Sequence, residues 1–330
     1  MMLLWAGFIA LILCLLALDL GVFNRRAHVV SIGEALKWTA VWVTVALLFN
    51  ALVYVIYQHH WMGMGTHPHQ EPTGKDAALK FLTGYIVEES LSLDNVFVIA
   101  LIFTYFRIPA QYQHRVLFWG ILGAQIMRGI MIGAGTALIH RFDWVIYVFG
   151  AFLIFTAVKL LYTRQESMHP ERNWAVRMAR KIYPVSSELD GKKFFTRVDG
   201  RLAATPLFLV LLLVESTDVM FAVDSIPAIF AITQDPFIVY TSNIFAILGL
   251  RSLYFALAGS LDKFRYLRTS LVFVLGFVGV KMLLSHHRPI PISVSLVVIV
   301  GILVTGAVAS VLMDKRDARR AGDSTNSKLN

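Results

Sequence analysis

Of 330 residues, 57% are hydrophobic and only 15% are charged, against roughly 25% charged in an ordinary soluble domain. Long apolar runs follow one another almost from the first residue, which excludes a pair of soluble domains and predicts an all-α polytopic membrane protein. Cys14 is the single cysteine, which excludes a disulfide framework, a thiolate zinc site and a dithiol redox pair; the formal charge of +9 suggests a nucleic-acid partner only if it forms a surface patch.

Nine spans are predicted, at about 2–23, 35–57, 80–106, 116–138, 142–162, 204–232, 237–258, 269–285 and 291–313. Each is near the roughly 20 residues that carry a helix across the hydrocarbon layer, and each far exceeds the roughly ten alternating residues of a membrane strand. The first run has no basic residue before it and Arg25 and Arg26 directly after it, so it reads as a retained helix with its N-terminus outside rather than a cleaved signal. Propagating that orientation places 22 Lys and Arg on the inner side and four, Lys75, Lys80, Arg141 and Arg288, on the outer side. That asymmetry is the positive-inside pattern with the C-terminus cytoplasmic. The basic charge is thus cytoplasmic flank facing membrane lipid, and no nucleic-acid role is expected.

The resulting organisation is two N-terminal helices with an outer loop at 1–79, a helical trio at 80–163, a basic cytoplasmic linker at 164–203, a second trio at 204–285, and a last helix and tail at 286–330. The tail after Met313 lacks an apolar period and is expected to be without structure. Seven of ten histidines fall on the outer side, namely His59, His60, His67, His69, His140, His286 and His287. The segment HHWMGMGTHPHQE could capture metal or sense pH, although a solvated loop is the simpler reading. Trp5, Trp38, Trp42, Trp61, Trp119 and Trp144 mostly lie near span ends and read as interfacial belts.

The two trios align with each other. Asp94-Asn95-Val96-Phe97 matches Asp224-Ser225-Ile226-Pro227, with a second acid six residues upstream in each, Glu88 and Asp218. Arg128 then matches Arg251, and Lys159 matches Lys281. A three-helix unit crosses the membrane an odd number of times, so its copy is inverted, which is a transporter architecture.

Glu88, Glu89, Asp94, Glu215, Asp218 and Asp224 all lie inside apolar stretches, where each carboxylate costs about 3 kcal/mol to insert. Acids six residues apart stand roughly 120° apart on a helix, so neither pair chelates one ion alone. An inverted repeat resolves this by bringing acids from both trios to one centre. Pro227 and the SLSLDN segment weaken the local helix, so discontinuous helices are expected there. Oxygens from Asn95, Ser92, Thr217, Ser225 and Asn243 complete a set suited to a hard divalent ion. The competing reading is a set of buried ion pairs with Arg128 and Arg251, which as cations are charge partners rather than ligands. Lys159 and Lys281 are expected to snorkel. Asp19, near the inner end of the first helix, is either a cap or a support to the site.

At these residues the chain resembles the TerC family of integral membrane proteins, particularly its Alx-like bacterial members. The densest stretches are FLTGYIVEESLSLDNVFV, FDWVIYVFGAFLIFTAVK and LLLVESTDVMFAVDSIPAIFAITQDPFIVYTSNIFAILGLRSLYF. The resemblance implies an inner-membrane protein that exports manganese from the cytoplasm, within a family whose name records tellurium resistance. It implies that Glu88, Asp94, Glu215, Asp218 and Asp224 are the acids used in transport, and it adds Asp19 as a participant. Manganese is then the transported ion rather than a permanently bound cofactor; the titratable carboxylates, not the resemblance, add protons as the expected counter-ion. The alternatives are an exporter of a small organic cation such as a basic amino acid, or a membrane scaffold that helps deliver metal to secreted enzymes. No enzymatic motif is found: HExxH is absent and no Ser or Cys has an adjacent base.

Overall fold

The computed structural model describes residues 2–18, 31–64, 73–162, 173–186, 188–198, 200–257, 267–285 and 287–326. Ten helices follow in order: α1 Met2–Leu18, α2 Ile32–Gln58, α3 Gly74–Tyr105, α4 Ala110–Arg141, α5 Val145–Tyr162, α6 Trp174–Ile182, α7 Pro206–Phe230, α8 Pro236–Leu257, α9 Leu267–Leu284 and α10 Ile292–Asn326. Six of them, α2, α4, α5, α7, α8 and the Ile292–Met313 part of α10, are long and apolar enough to cross a membrane, and α1 and the Thr269–Leu284 part of α9 are shorter apolar helices. The protein is an all-α polytopic membrane protein. Its outer surface shows why: Leu3, Ile130, Phe155, Met220, Phe273, Val297 and Leu312 are exposed on different helices, a distribution suited to lipid contact and costly in water.

Helix starts follow local chemistry. Ser31 and Thr73 cap α2 and α3, each accepting a bond from the backbone N–H three residues on, Glu34 and Asp76. Pro206 opens α7, where its missing donor costs nothing. α3 runs unbroken through SLSLDN, and α7 continues through Pro227 to Phe230, so the expected discontinuities are not present. Ser90 returns its hydroxyl to the Ile86 carbonyl at 2.6 Å instead of competing with the helix ladder. Pro227 falls in the last turn, where it interrupts little of the helix that follows.

Two further expectations, for the tail and for Trp42, are corrected, and the linker is more than a plain connection. The linker carries its own structure: α6 buries Val176 and Ala179 on one face with Arg177, Arg180 and Lys181 on the other, an amphipathic pattern. Asn173 caps α6 and also donates to Ser216 Oγ of α7 at 2.8 Å. After it, β1 Phe195–Val198 pairs antiparallel with β2 Arg201–Ala204, and Gly200 takes φ +76° in the two-residue connection, a conformation open to glycine. Beside this hairpin, hydrogen bonds from Lys193 and Thr196 hold the exposed Asp190 carboxyl below the usual carboxylate range. The tail is helical, since α10 continues past Met313 to Asn326; its Lys, Arg and Ala residues are good helix formers and no glycine intervenes before Gly322. Trp42 belongs to the core, not to a belt, with 6% of its surface exposed.

α8 lies at the centre, buried over most of its length, and packs against α2, α3 and α4. α3 and α4 both contact α7, α5 pairs with α9, and α10 covers α9 and α3. An aromatic cluster of Phe8, Phe49, Phe81, Phe237 and Phe245 ties α1, α2, α3 and α8 together, with Phe49 and Phe245 ring centres 4.6 Å apart. Between α5 and α9 the backbones approach closely at Gly150 and Gly279: a Cβ on Gly279 would stand 3.0 Å from the Gly150 carbonyl and 2.8 Å from Ile154 Cγ1. Gly279→Val is therefore expected to destabilise the protein by about 1–3 kcal/mol, read as a lower unfolding midpoint in detergent. Gly133→Val, where a Cβ meets nothing within 4 Å, is the neutral control.

Candidate functional site

Near the middle of α4, Arg128 turns into the bundle and is 1% exposed. Its guanidinium reaches four acceptors on three helices. Nη1 donates to Glu88 Oε1 of α3, to Ser225 Oγ of α7 at 3.3 Å and to Asn243 Oδ1 of α8 at 3.1 Å. Nη2 and Nε donate to the two carboxylate oxygens of Asp218 on α7, at 3.0 and 3.3 Å, the bidentate fork that guanidinium geometry favours. Two amides brace the acids from outside. Asn243 Nδ2 donates to Glu88 Oε2 at 3.0 Å, and Asn95 Nδ2 donates to Asp218 Oδ1 at 3.0 Å.

Two carboxylates inside an apolar bundle would repel each other and lose their hydration. Here one cation lies between them and amide donors satisfy further lone pairs. The remaining oxygen capacity is not used up: among the described residues Asn95 Oδ1 and Ser92 Oγ are buried without a hydrogen-bond partner, as is Gln125 Nε2, one turn before Arg128 on α4.

The aligned positions of the two trios meet here. Of the positions aligned in sequence, Glu88, Asp218 and Ser225 bond the same guanidinium, and Asn95 reaches it only through Asp218. This was the expected convergence, but its occupant differs from expectation. For Glu88 and Asp218 the structure shows the competing reading, buried ion pairs with arginine. The five acids Glu88, Asp94, Glu215, Asp218 and Asp224 do not share one pocket. Among the described residues no three His, Cys, Asp or Glu are grouped so as to hold a metal ion.

Asp224 faces away from this cluster, as its six-residue spacing from Asp218 predicts, whereas Glu215, three residues before Asp218, is close enough to interact with it electrostatically. Asp224, half-buried, faces α5, where Thr156 Oγ1 donates to it at 3.1 Å and Lys159 is the nearby cation. Asp94 is half-buried on α3. Glu215 packs its carboxylate against Gly123 of α4, in space that a Cβ there would fill. Glu89 lies toward Gly249 of α8 and keeps Oε2 buried without a partner. Arg251 is buried on α8 at 6% exposure. Asp19, His67, His69 and His286 lie outside the described residues. Thr156 was not anticipated; its only signal is a lone hydroxyl one turn before Lys159.

A cavity of about 940 Å³ opens where the start of α3, the α7–α8 connection and the end of α9 meet. Asp76, Lys80, His140, Asp235 and Lys281 contribute polar groups to its wall. Tyr57 donates to Asp235 at 2.6 Å beside it. Lys281 does not snorkel: it is 8% exposed and lines this cavity together with Lys80.

Residues 73–318 match the family of proteins described as the integral membrane protein TerC family. An uncharacterized membrane protein of Myxococcus xanthus is 54% identical, covering 94% of this chain and 93% of its own. The Escherichia coli (strain K12) protein Alx, whose name proposes a membrane-bound redox modulator, is 46% identical over 97% of this chain and 98% of its own. An uncharacterized membrane protein of Rickettsia bellii is 41% identical over 93% and 97%. No solved structure matches the chain. With three quarters of its length inside the family match and full-length relatives beyond it, this chain belongs to the TerC family and is an Alx-like membrane protein.

Proposed function

We propose that this protein exports a hard divalent cation, manganese first, from the cytoplasm across the bacterial inner membrane. In this reading nine spans run with the N-terminus outside and the C-terminus cytoplasmic, and the two trios, α3–α5 and α7–α9, are inverted repeats. The observation that carries the reading is the meeting of Glu88 and Asp218, one acid from each trio, on one buried positive group, with Asn95 and Ser225 bonded to Asp218 and to that group. Corresponding side chains from two halves form a single oxygen-rich cation site. The packing supports the repeat: α3 lies against α8 and α7 lies against α4, the two contacts that exchanging the halves interconverts.

Asp94, Asp224 and Glu215, on the same helices α3 and α7, supply further carboxylates along the route. The cavity lined by Asp76, Lys80, Asp235 and Lys281 among apolar side chains then serves as the outer vestibule. Rocking of one trio against the other exposes the site to each side in turn. Protonation of Asp94, Asp224 and Glu215 from the outside weakens the hold on the ion and makes protons the counter-ion, while Glu88 and Asp218 stay charged.

A specific observation also favours a second reading. The site accommodates a guanidinium in this structure, so export of a small organic cation such as a basic amino acid is the alternative. A redox role carried by a cysteine pair within one chain is not supported, because Cys14 has no second thiol to join.

Uptake of manganese into inverted vesicles tests the proposal. The expected result is accumulation that depends on this protein and on an acid-inside proton gradient, together with raised cellular manganese in its absence. Uptake indifferent to the gradient rejects the proton coupling. Inhibition by excess lysine or arginine, with no manganese accumulation, favours the organic-cation reading.

A further inference from the structure

The cation site is filled by a part of the protein itself, which bears on how an exporter returns empty. We propose, building on the transport reading, that Arg128 is a tethered counter-cation. It occupies the Glu88–Asp218 site when no substrate is bound and is displaced when the divalent ion enters.

The geometry supports exclusive occupancy. Arg128 uses both oxygens of Asp218 and one of Glu88, the same atoms a divalent ion would need. A dication placed between those carboxylates would face a guanidinium within a few ångströms in a poorly screened interior, so both cannot be held at once. The substrate has more oxygen to gain than Arg128 uses: Asn95 Oδ1 and Ser92 Oγ are buried without partners, on residues 2% and 3% exposed. A guanidinium, a donor with no lone pairs to offer, fits two carboxylates; a small hard ion needs about six oxygens. These two acceptors, on the same helix as Glu88, are left over by Arg128.

The consequence concerns the step on which no substrate rides. Moving two bare carboxylates through the occluded bundle carries a desolvation cost of several kcal/mol per ion. Arg128 removes that cost by refilling the site, so the unloaded protein can reorient. Without it the loaded form still rocks, because the substrate neutralises the acids, but the empty form stalls. Net export and one-for-one exchange of substrate should then separate, which a purely structural role for Arg128 would not produce.

The experiment uses the full-length protein in proteoliposomes with radioactive manganese as the probe. Net efflux into manganese-free buffer is compared with exchange against unlabelled manganese on the opposite side. Wild type is expected to perform both. Arg128→Gln is expected to retain exchange while net efflux falls at least tenfold, and to bind manganese more tightly in a thermal-shift titration because its internal competitor is gone. If Arg128→Gln is not recovered folded, Arg128→Lys is measured in the same way. Its single point charge satisfies the two acids less well, and the ratio of net efflux to exchange is expected to fall severalfold. An unchanged ratio, or loss of both modes together in a folded variant, overturns the inference. Failure of wild type to move or bind manganese at all would instead overturn the transport reading, and with it the basis of this one.

Discussion

Arg128→Met is expected to destabilise the folded protein by about 3–5 kcal/mol, the range for removing one partner of a buried ion pair. Glu88 and Asp218 are 1% and 4% exposed and both depend on the same guanidinium for charge compensation. Methionine fills much of the volume but leaves two like charges facing each other with only amide and hydroxyl partners. The loss should therefore come from uncompensated charge rather than from a void. A cycle separates the two causes. If charge is responsible, the combined variant Glu88→Gln, Arg128→Met, Asp218→Asn recovers most of the stability that Arg128→Met loses, although it differs from wild type at three positions. Unfolding midpoints in detergent, followed by size-exclusion recovery, give the comparison. A single variant within about 1 kcal/mol of wild type would show that the cluster contributes little to holding α3, α4 and α7 together.

The reason this triad was only half legible in the sequence lies in its reach. Glu88, Arg128 and Asp218 are separated by 40 and 90 residues, so periodicity, which reads one helix at a time, does not pair them. The repeat alignment did better, because it carries tertiary information: corresponding positions must be related in space if the halves are. It paired Glu88 with Asp218, and the two share one guanidinium. It did not show that an arginine from α4 would lie between them, since nothing in an alignment reports which of several nearby charges wins a site.

Local rules erred in both directions elsewhere. Helix-weakening residues in SLSLDN and Pro227 were overridden by packing, with Asn95 and Ser225 engaged by partners on other helices. α6 and the Phe195–Ala204 hairpin escaped notice because they are short, and their burial comes from α7 and its neighbours rather than from any long apolar run. The long apolar helices were legible because a membrane leaves little choice: about 20 residues without charge have few other stable places in a chain.

The second large effect is expected at the two acids that stand outside the arginine cluster. Asp94→Ala and Asp224→Ala should each reduce manganese uptake into inverted vesicles to the background of empty membranes, while leaving the protein inserted at wild-type abundance by immunoblot. For Asp224 the structural argument is direct. It is half-buried, accepts one hydrogen bond from Thr156 at 3.1 Å and has Lys159 nearby. Removing it strands an exposed lysine and one hydroxyl, a cost of about 1 kcal/mol, far less than breaking the Arg128 cluster. A carboxylate retained in an apolar helix at some 3 kcal/mol of insertion cost, yet contributing so little to folding, has its use elsewhere. Asp94 aligns with Asp224 in sequence and is likewise half-buried, on α3, so the same loss is expected there. Thr156→Val provides the graded control: Asp224 keeps its charge but loses its orienting bond, and uptake should fall only partly. Full transport by either alanine variant would remove that acid from the route. Loss of transport accompanied by loss of inserted protein would mean that it, like Arg128, serves the fold.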